Sequence, residues 1–161
     1  MKNGDTPRID KKYTNFELKL ARSKIHRWGV YAAEPIPAGR KVIEYTGEKI
    51  SRREAKRRAQ SRDLIYLFTL DSYWSIDGSV GGSGAEYINH SCEPNCEAVI
   101  TGRRIFIHAL HGIHPGTELA YDYQYERTGK NDAELERFYV CKCGAPNCRG
   151  SIMKPAKKKS R

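Results

Sequence analysis

Turn residues interrupt this chain so often that its longest mostly apolar run covers only residues 64–70. Such punctuation suits strands, which need about 5–6 residues, and excludes a membrane-spanning helix, which needs about 20 apolar ones. Between the breaks, residues 16–20 alternate, 29–32 follow a turn, 35–39 form a Pro/Gly loop, and 41–45 are β-rich and stop at Thr46-Gly47. Residues 64–70 and 73–77 read as a hairpin about Asp71-Ser72, 98–100 and 104–109 as another turning at Thr101-Gly102, and 118–123 as a further aromatic strand. One helix stands out, residues 51–62, where Ser51 and Glu54 have capping-box spacing. No strand–helix–strand alternation accompanies it, so the expected fold is mostly β, built from small sheets.

The 161 residues suffice for one core. Ten Tyr, four Phe and two Trp are too many buriable rings for a disordered chain. Lys and Arg outnumber Asp and Glu by 29 to 19, and the resulting charge of +10 favours contact with a polyanion such as nucleic acid. Residues 49–62 hold seven of those positive charges against one negative, and 154–161 hold five more. The first is read as a solvated helix face or an interaction surface, the second as a solubilising tail or a nucleic-acid contact. The opening MKNGDTPRIDKK shows no apolar stretch of a secretory signal. The expected division is a frayed tail over 1–15, the main domain over 16–126, a connecting and cysteine-bearing segment over 127–153, and a basic tail over 154–161.

Three segments carry candidate chemistry. Cys141, Cys143 and Cys148 form a C-x-C-x4-C cluster, with Gly144 and Pro146 bending the chain between them. Thiolates are soft donors that hold zinc tetrahedrally, and a structural site wants four. The fourth must be distant, and Cys92 and Cys96 are the other cysteines. The segment 89–96 is polar and turn-rich, and Asn89 and His90 offer donors and acceptors of fixed geometry. By composition alone it reads as a tight turn. Tyr121, Tyr123 and Tyr125 alternate, so on a strand they share one face, which by itself reads as a core stripe. His108, His111 and His114 lie at a strand end and a Gly/Pro turn, where surface histidines are expected.

Taken in order, these segments resemble the SET domain of protein lysine methyltransferases. The resemblance runs from about Phe16 to Ile152. It rests on Ile25-His26-Arg27-Trp28-Gly29-Val30-Tyr31-Ala32, Glu44-Tyr45-Thr46-Gly47-Glu48, Tyr66-Leu67-Phe68, Ile76-Asp77-Gly78, Ile88-Asn89-His90-Ser91-Cys92-Glu93-Pro94-Asn95 and Glu118-Leu119-Ala120-Tyr121-Asp122-Tyr123. The cysteine cluster resembles the family's post-SET zinc motif. Six matches in order with that cluster make the resemblance specific.

The resemblance implies small curved sheets with a knot-like core, where the 89–95 and 118–123 segments cross, and S-adenosylmethionine as methyl donor. His26, Trp28 and Gly29 would form the turn touching that cofactor. Tyr66, Asn89 and His90 would contact it further, and Lys142 would sit where the post-SET turn closes over it. Cys92 would be the fourth zinc ligand, leaving Cys96 free. Tyr123 would be the active-site tyrosine, with Tyr45 and Tyr121 also walling the lysine channel. Where the family commonly has Arg-Phe, this chain has Glu86-Tyr87. The implied function is methylation of a lysine on a basic protein, a histone above all, to the mono- or dimethyl state. A non-histone or bacterial methyltransferase, or a silent chromatin-docking module, are the alternatives, and intact Asn89-His90 and Tyr123 weigh against silence. The implied place is intracellular, on chromatin if eukaryotic and in the cytoplasm if bacterial, with a monomer favoured.

Overall fold

Every turn-bounded apolar segment becomes a short strand in the computed structural model, which describes residues 6–61, 65–127 and 129–157. The order is β1 (Leu18–Arg22), β2 (Trp28–Ala32), β3 (Lys41–Tyr45), β4 (Glu48–Ser51), α1 (Arg52–Gln60), β5 (Leu67–Thr69), β6 (Trp74–Asp77), β7 (Asn89–His90), β8 (Cys96–Thr101), β9 (Arg104–Ala109), β10 (Ala120–Tyr121) and α2 (Asp132–Phe138). They form three sheets: β1-β2, β4-β6-β5 and β3-β9-β8-β10-β7. The fold is mostly β, as the sequence indicates. Both expected hairpins form, β5 with β6 and β8 with β9. Leu64, at the head of the first, lies outside the described residues.

The core gathers where the sheets meet. Val30, Val42, Ile43, Ile105, Ile107 and Leu119 have no exposed surface, and Ile36 and Ile88 have 1%. Burying one such side chain contributes roughly 1.5–3 kcal/mol. Strand β10 lies between β7 and β8 and runs parallel to both, with Ala120 opposite Asn89 and Tyr121 opposite both His90 and Cys96. The connection from β7 to β8 therefore spans the chain at β10, which is the expected crossing. Asn95 locks it: its amide donates to the Glu118 carbonyl at 2.8 Å and its oxygen accepts from Ala120 N–H at 2.9 Å.

Helix α1 begins as its capping signal dictates, with the Ser51 hydroxyl accepting from Glu54 N–H at 3.1 Å. Its basic face is only partly solvated. Arg58 turns inward to Asp77, which has no exposed surface, and to Glu48, both at 2.7 Å, and Arg57 pairs with Glu54. Arg52, Arg53 and Lys56 are exposed.

Four expectations change. Residues 6–15 were expected to fray, yet they lie against the domain, where Asp10 N–H donates to Ser83 O at 2.8 Å and Asn15 N–H to Val42 O at 2.9 Å. Lys154, at the head of the expected basic tail, is likewise tied, its N–H donating to Tyr125 O at 2.9 Å; residues 158–161 lie outside the described residues. A second helix, α2, forms where none stood out. It has no side-chain cap and no buried residue, so it left no apolar stripe to read. The tyrosine segment is a strand only over Ala120–Tyr121: Tyr123 N–H bonds to the His90 ring instead of a neighbouring strand, and the chain then turns at Gln124, where φ is +51°.

Candidate active site

A cleft of about 520 Å³ opens between the 25–28 turn and the 137–142 segment, and six of the seven residues expected to touch a cofactor line it: His26, Trp28, Tyr66, Asn89, His90 and Lys142. Tyr123 and Tyr125 line it as well. The seventh, Gly29, does not. A Cβ on Gly29 would collide with the Glu118 carboxylate, so the missing side chain makes room for a protein group rather than for a ligand.

Glu118 organises that side of the cleft. Its carboxylate accepts from the Ser23 hydroxyl at 2.7 Å, the Tyr31 hydroxyl at 3.1 Å and the Asn89 amide at 2.9 Å. The same Asn89 amide donates to the carbonyls of Trp28 at 2.9 Å and His26 at 3.3 Å. Asn89 thus shapes the turn that lines the cleft, beyond any contact of its own with a ligand. Burial, then the cations Arg27 and Lys142, hold the His26 imidazole below its ordinary pKa. Sequence reasoning gave Glu118 and Asn95 no role, because a buried carboxylate or amide resembles any other until its partners are known.

Behind the cleft stands a stack of aromatic rings. Tyr121 and Tyr123 lie 4.9 Å apart between centroids, Tyr123 and Tyr125 5.8 Å, Tyr121 and Phe68 6.1 Å, and Tyr45 and Phe68 5.3 Å. The three alternating tyrosines do stack side by side, although the strand that was to align them is two residues long. Tyr45 and Tyr121 are buried and sit behind the cleft lining. The Tyr123 hydroxyl donates to Ile88 O at 2.6 Å and the Tyr45 hydroxyl to Tyr66 O at 2.7 Å. A tyrosine whose proton is so committed offers only acceptor lone pairs to anything beside it. Burial pushes Tyr45, Tyr121 and Tyr123 well above the ordinary phenol pKa, so all stay neutral. Glu86 also lines the cleft; burial raises its carboxyl to about 7, although Gly84 N–H bonds to it.

The sulfurs of Cys92, Cys141, Cys143 and Cys148 all lie within 4.8 Å of one another. Cys96 is apart from them, at the head of β8 and fully buried in the core, where burial raises its thiol to about 12. Four thiolates this close repel one another, and a cation among them relieves that repulsion. Backbone N–H groups already point at the sulfurs, Arg149 at Cys92 (3.3 Å), Cys143 at Cys141 (3.4 Å) and Gly150 at Cys148 (3.4 Å). A soft, tetrahedral donor set with N–H support fits a closed structural metal centre. Cys141 itself lines the cleft beside Lys142, so the cluster anchors one wall. No other group among the described residues has such donors together; His111 and His114 are exposed, as expected of surface histidines, while His108, on β9, is half-buried.

Comparison with known proteins agrees with this geometry. The family model described as SET domain matches residues 27–124. Over 144 residues the chain is 45% identical to a histone-lysine N-methyltransferase, H3 lysine-4 specific, of Candida albicans, which covers 84% of this chain and 14% of that protein. The similarly described proteins of Saccharomyces cerevisiae and Aspergillus oryzae are 44% identical over 145 residues and 39% over 160, covering 84% and 93% of this chain and 13% of each relative. The chain therefore spans about a seventh of the length of these relatives.

Proposed function

The chain belongs to the SET-domain family, and on that premise we propose that it is a protein-lysine N-methyltransferase that uses S-adenosylmethionine and acts on a histone, with lysine 4 of histone H3 as the first candidate. One observation carries the reading: the cleft lined by His26, Trp28, Tyr66, Asn89, His90 and Lys142 reaches a stack of neutral tyrosines, two of which have their hydroxyl protons already committed. S-adenosylmethionine, when bound, supplies a methyl group on a good leaving group. The chain's task is to present a neutral amine in line with it.

A free lysine has a pKa of about 10.4, and lowering it to about 8 takes roughly 3 kcal/mol of differential stabilisation. Burial among Tyr45, Tyr121 and Tyr123 disfavours the ammonium by desolvation. The Tyr123 oxygen, donating to Ile88 O, can accept one amine N–H and so turn the lone pair toward the methyl. None of these neutral phenols is a base, and water takes the proton. Positioning then supplies most of the acceleration. Arg27 and Lys142 give the cleft a positive side suited to the cofactor's carboxylate.

Cys92, Cys141, Cys143 and Cys148 would hold one structural zinc and fasten the 137–142 wall. The exposed Arg52, Arg53 and Lys56 would face nucleosomal DNA, and chromatin in the nucleus is the expected location. No helix among the described residues is long and apolar enough to cross a membrane. Labelled-methyl transfer to a histone H3 tail peptide, beside the same peptide with its lysine 4 replaced by arginine, tests the proposal. Transfer to the first alone is expected. Equal labelling of both would remove that lysine as the target, and labelling of neither, nor of any lysate protein, would remove the activity.

A further inference from the structure

We propose that the His90 side chain is a positioning residue that ties the metal centre to Tyr123, donating Nε2–H to the Cys92 thiolate while its Nδ1 holds the Tyr123 backbone. This rests on reading the four cysteines as a metal centre and Tyr123 as a wall of the reaction chamber.

The hydrogen bonds fix the tautomer. Tyr123 N–H lies 3.1 Å from His90 Nδ1, and since an amide N–H can only donate, Nδ1 carries a lone pair. The single ring proton of a neutral imidazole is then on Nε2, which lies 3.3 Å from Cys92 Sγ. The imidazole is 3% exposed, so water does not compete for either nitrogen. His90 is not among the groups that share the 4.8 Å cluster, which places the ring one bond outside the ligand set. Its edge also meets the Tyr123 ring, with centroids 5.4 Å apart.

A second strut runs beside the first. The Arg149 backbone N–H donates to Cys92 Sγ at 3.3 Å, and its guanidinium grips Asp122 through two bonds of 2.9 Å. Cys92 is thereby joined to residues 122 and 123 twice, once through His90 and once through Arg149. Cys92 is also the one cluster cysteine outside residues 141–148. Any cation that fixes its sulfur fixes the backbone from which the Tyr123 ring projects. Two substitutions separate the two bonds of His90. In His90→Asn, the amide oxygen sits where Nδ1 was and can keep the Tyr123 bond, but nothing reaches Cys92. In His90→Gln, the longer amide can donate to Cys92, but the acceptor beside Tyr123 is lost.

The test uses the full chain. Chelator competition for zinc and the sulfur-to-metal charge-transfer bands of the Co(II)-loaded protein report on the cluster; kcat and KM on the histone peptide report on Tyr123. His90→Asn is expected to lose about 10–100-fold in metal affinity and shift the Co(II) bands. His90→Gln is expected to keep metal affinity and spectrum while kcat falls. Parental affinity and spectrum in His90→Asn, or equal losses on both readouts in both variants, would overturn the proposal. If a variant fails to fold, nitrogen NMR of the histidines in the unmodified zinc-loaded protein decides: the Nε2–H tautomer is expected for His90, and the Nδ1–H tautomer overturns the proposal. A parent chain that takes up no metal would instead overturn the metal reading itself, and the proposal with it.

Discussion

The wall of the cleft made by residues 25–28 and 89–90 rests on strands packed over Val30, Ile88 and Leu119, all at most 1% exposed, whereas the wall made by residues 137–142 leaves Phe138 and Val140 65% and 51% exposed. The first wall is folded by apolar burial and braced by the Glu118–Asn89 network. The second has little core of its own: α2 buries nothing, and beyond the Tyr125–Tyr139 ring contact and the Arg127–Glu136 pair its fastening runs through Cys141, Cys92 and the Arg149–Asp122 pair. One wall is therefore intrinsic to the sheets, and the other is conditional on the cysteine cluster. A segment too short to bury its own apolar surface can be ordered by coordination, because metal binding free energy becomes folding free energy.

The sharpest way to break this contrast is to remove a ligand. Cys143→Ser, or a strong chelator, should abolish stoichiometric metal and strip hydrogen-exchange protection from residues 129–157 while β3, β8 and β9 keep theirs. Structural zinc contributes about 10–16 kcal/mol in small domains, so the effect on that wall should be near total. Cys96→Ser should leave metal content unchanged, since that thiol lies apart from the cluster. Uniform loss of protection over the whole chain would show that the two walls fold as one.

Tyr123→Phe comes next in size. Tyr123 lines the cleft with its hydroxyl on Ile88 O, and losing one preorganised group typically costs about 10²–10³ in kcat. Cofactor affinity by calorimetry should stay close to the parent's. Parental turnover would remove Tyr123 from the mechanism. Asn89→Ala should act in the opposite sense, on the intrinsic wall. It deletes the amide that donates to His26 O, Trp28 O and Glu118; Glu118 keeps its Ser23 and Tyr31 bonds, and a part-buried carbonyl left unpaired costs up to about 1–3 kcal/mol. Weakened cofactor binding and a lowered melting temperature are expected before any specific loss in kcat.

The same contrast explains what the sequence made legible. Turn punctuation and β-branched runs locate β1, β2, β3, β5, β6, β8 and β9 because each obeys local rules, whereas β4, wedged between the Thr46-Gly47 turn and the helix cap, carries no such mark. The Ser51 cap does the same for α1. The C-x-C-x4-C spacing marks the cluster, but its fourth ligand could be narrowed no further than Cys92 or Cys96 by residue type, since the choice depends on how a distant loop folds back. The crossing of β10 between β7 and β8 has no local signature at all: two residues of strand are specified by Asn95 and by packing from both sides. Residues 6–15 looked like a polar tail because their anchors are backbone bonds to Ser83 and Val42, which composition does not encode. Arg149 and Asp122 escaped notice for a similar reason, as a salt bridge over 27 positions leaves no pattern.

Glu86 sharpens the comparison from within the intrinsic wall. Burial raises its carboxyl from 4.5 to about 7 in the folded state. The folded protein therefore binds the proton more tightly than the unfolded chain does. Its contribution is most favourable below pH 4.5, declines as pH rises from 4.5 to 7, and is fully unfavourable above. Glu86→Gln removes the charge at constant size. We expect a gain of about 1–3 kcal/mol at pH 8, little change at pH 4.5, and a flatter pH dependence between. Urea titrations at the two pH values measure it, and equal shifts at both would mean that the carboxyl is solvated in the folded state.

The smallest expected effect, and the finest test of the ring stack, is Tyr121→Phe. Tyr121 is buried with its ring 4.9 Å from Tyr123 and 6.1 Å from Phe68, so its hydroxyl lies within the aromatic enclosure. A hydroxyl there can hold a water, and that water takes the space a growing methylamine needs. Each added methyl also removes an N–H donor, so a chamber rich in acceptor oxygens holds the amine less well as methylation proceeds. The parent should accordingly stop at mono- or dimethyl-lysine. Tyr121→Phe should change the first-methyl rate little, since the Tyr123–Ile88 bond and the two walls are untouched, while shifting the product toward trimethyl-lysine. Mass spectra of the reacted peptide under excess cofactor separate these outcomes. Predominant trimethylation by the parent would assign the limit to another wall of the chamber, with Phe68 and Tyr45, 5.3 Å apart, the next rings to vary.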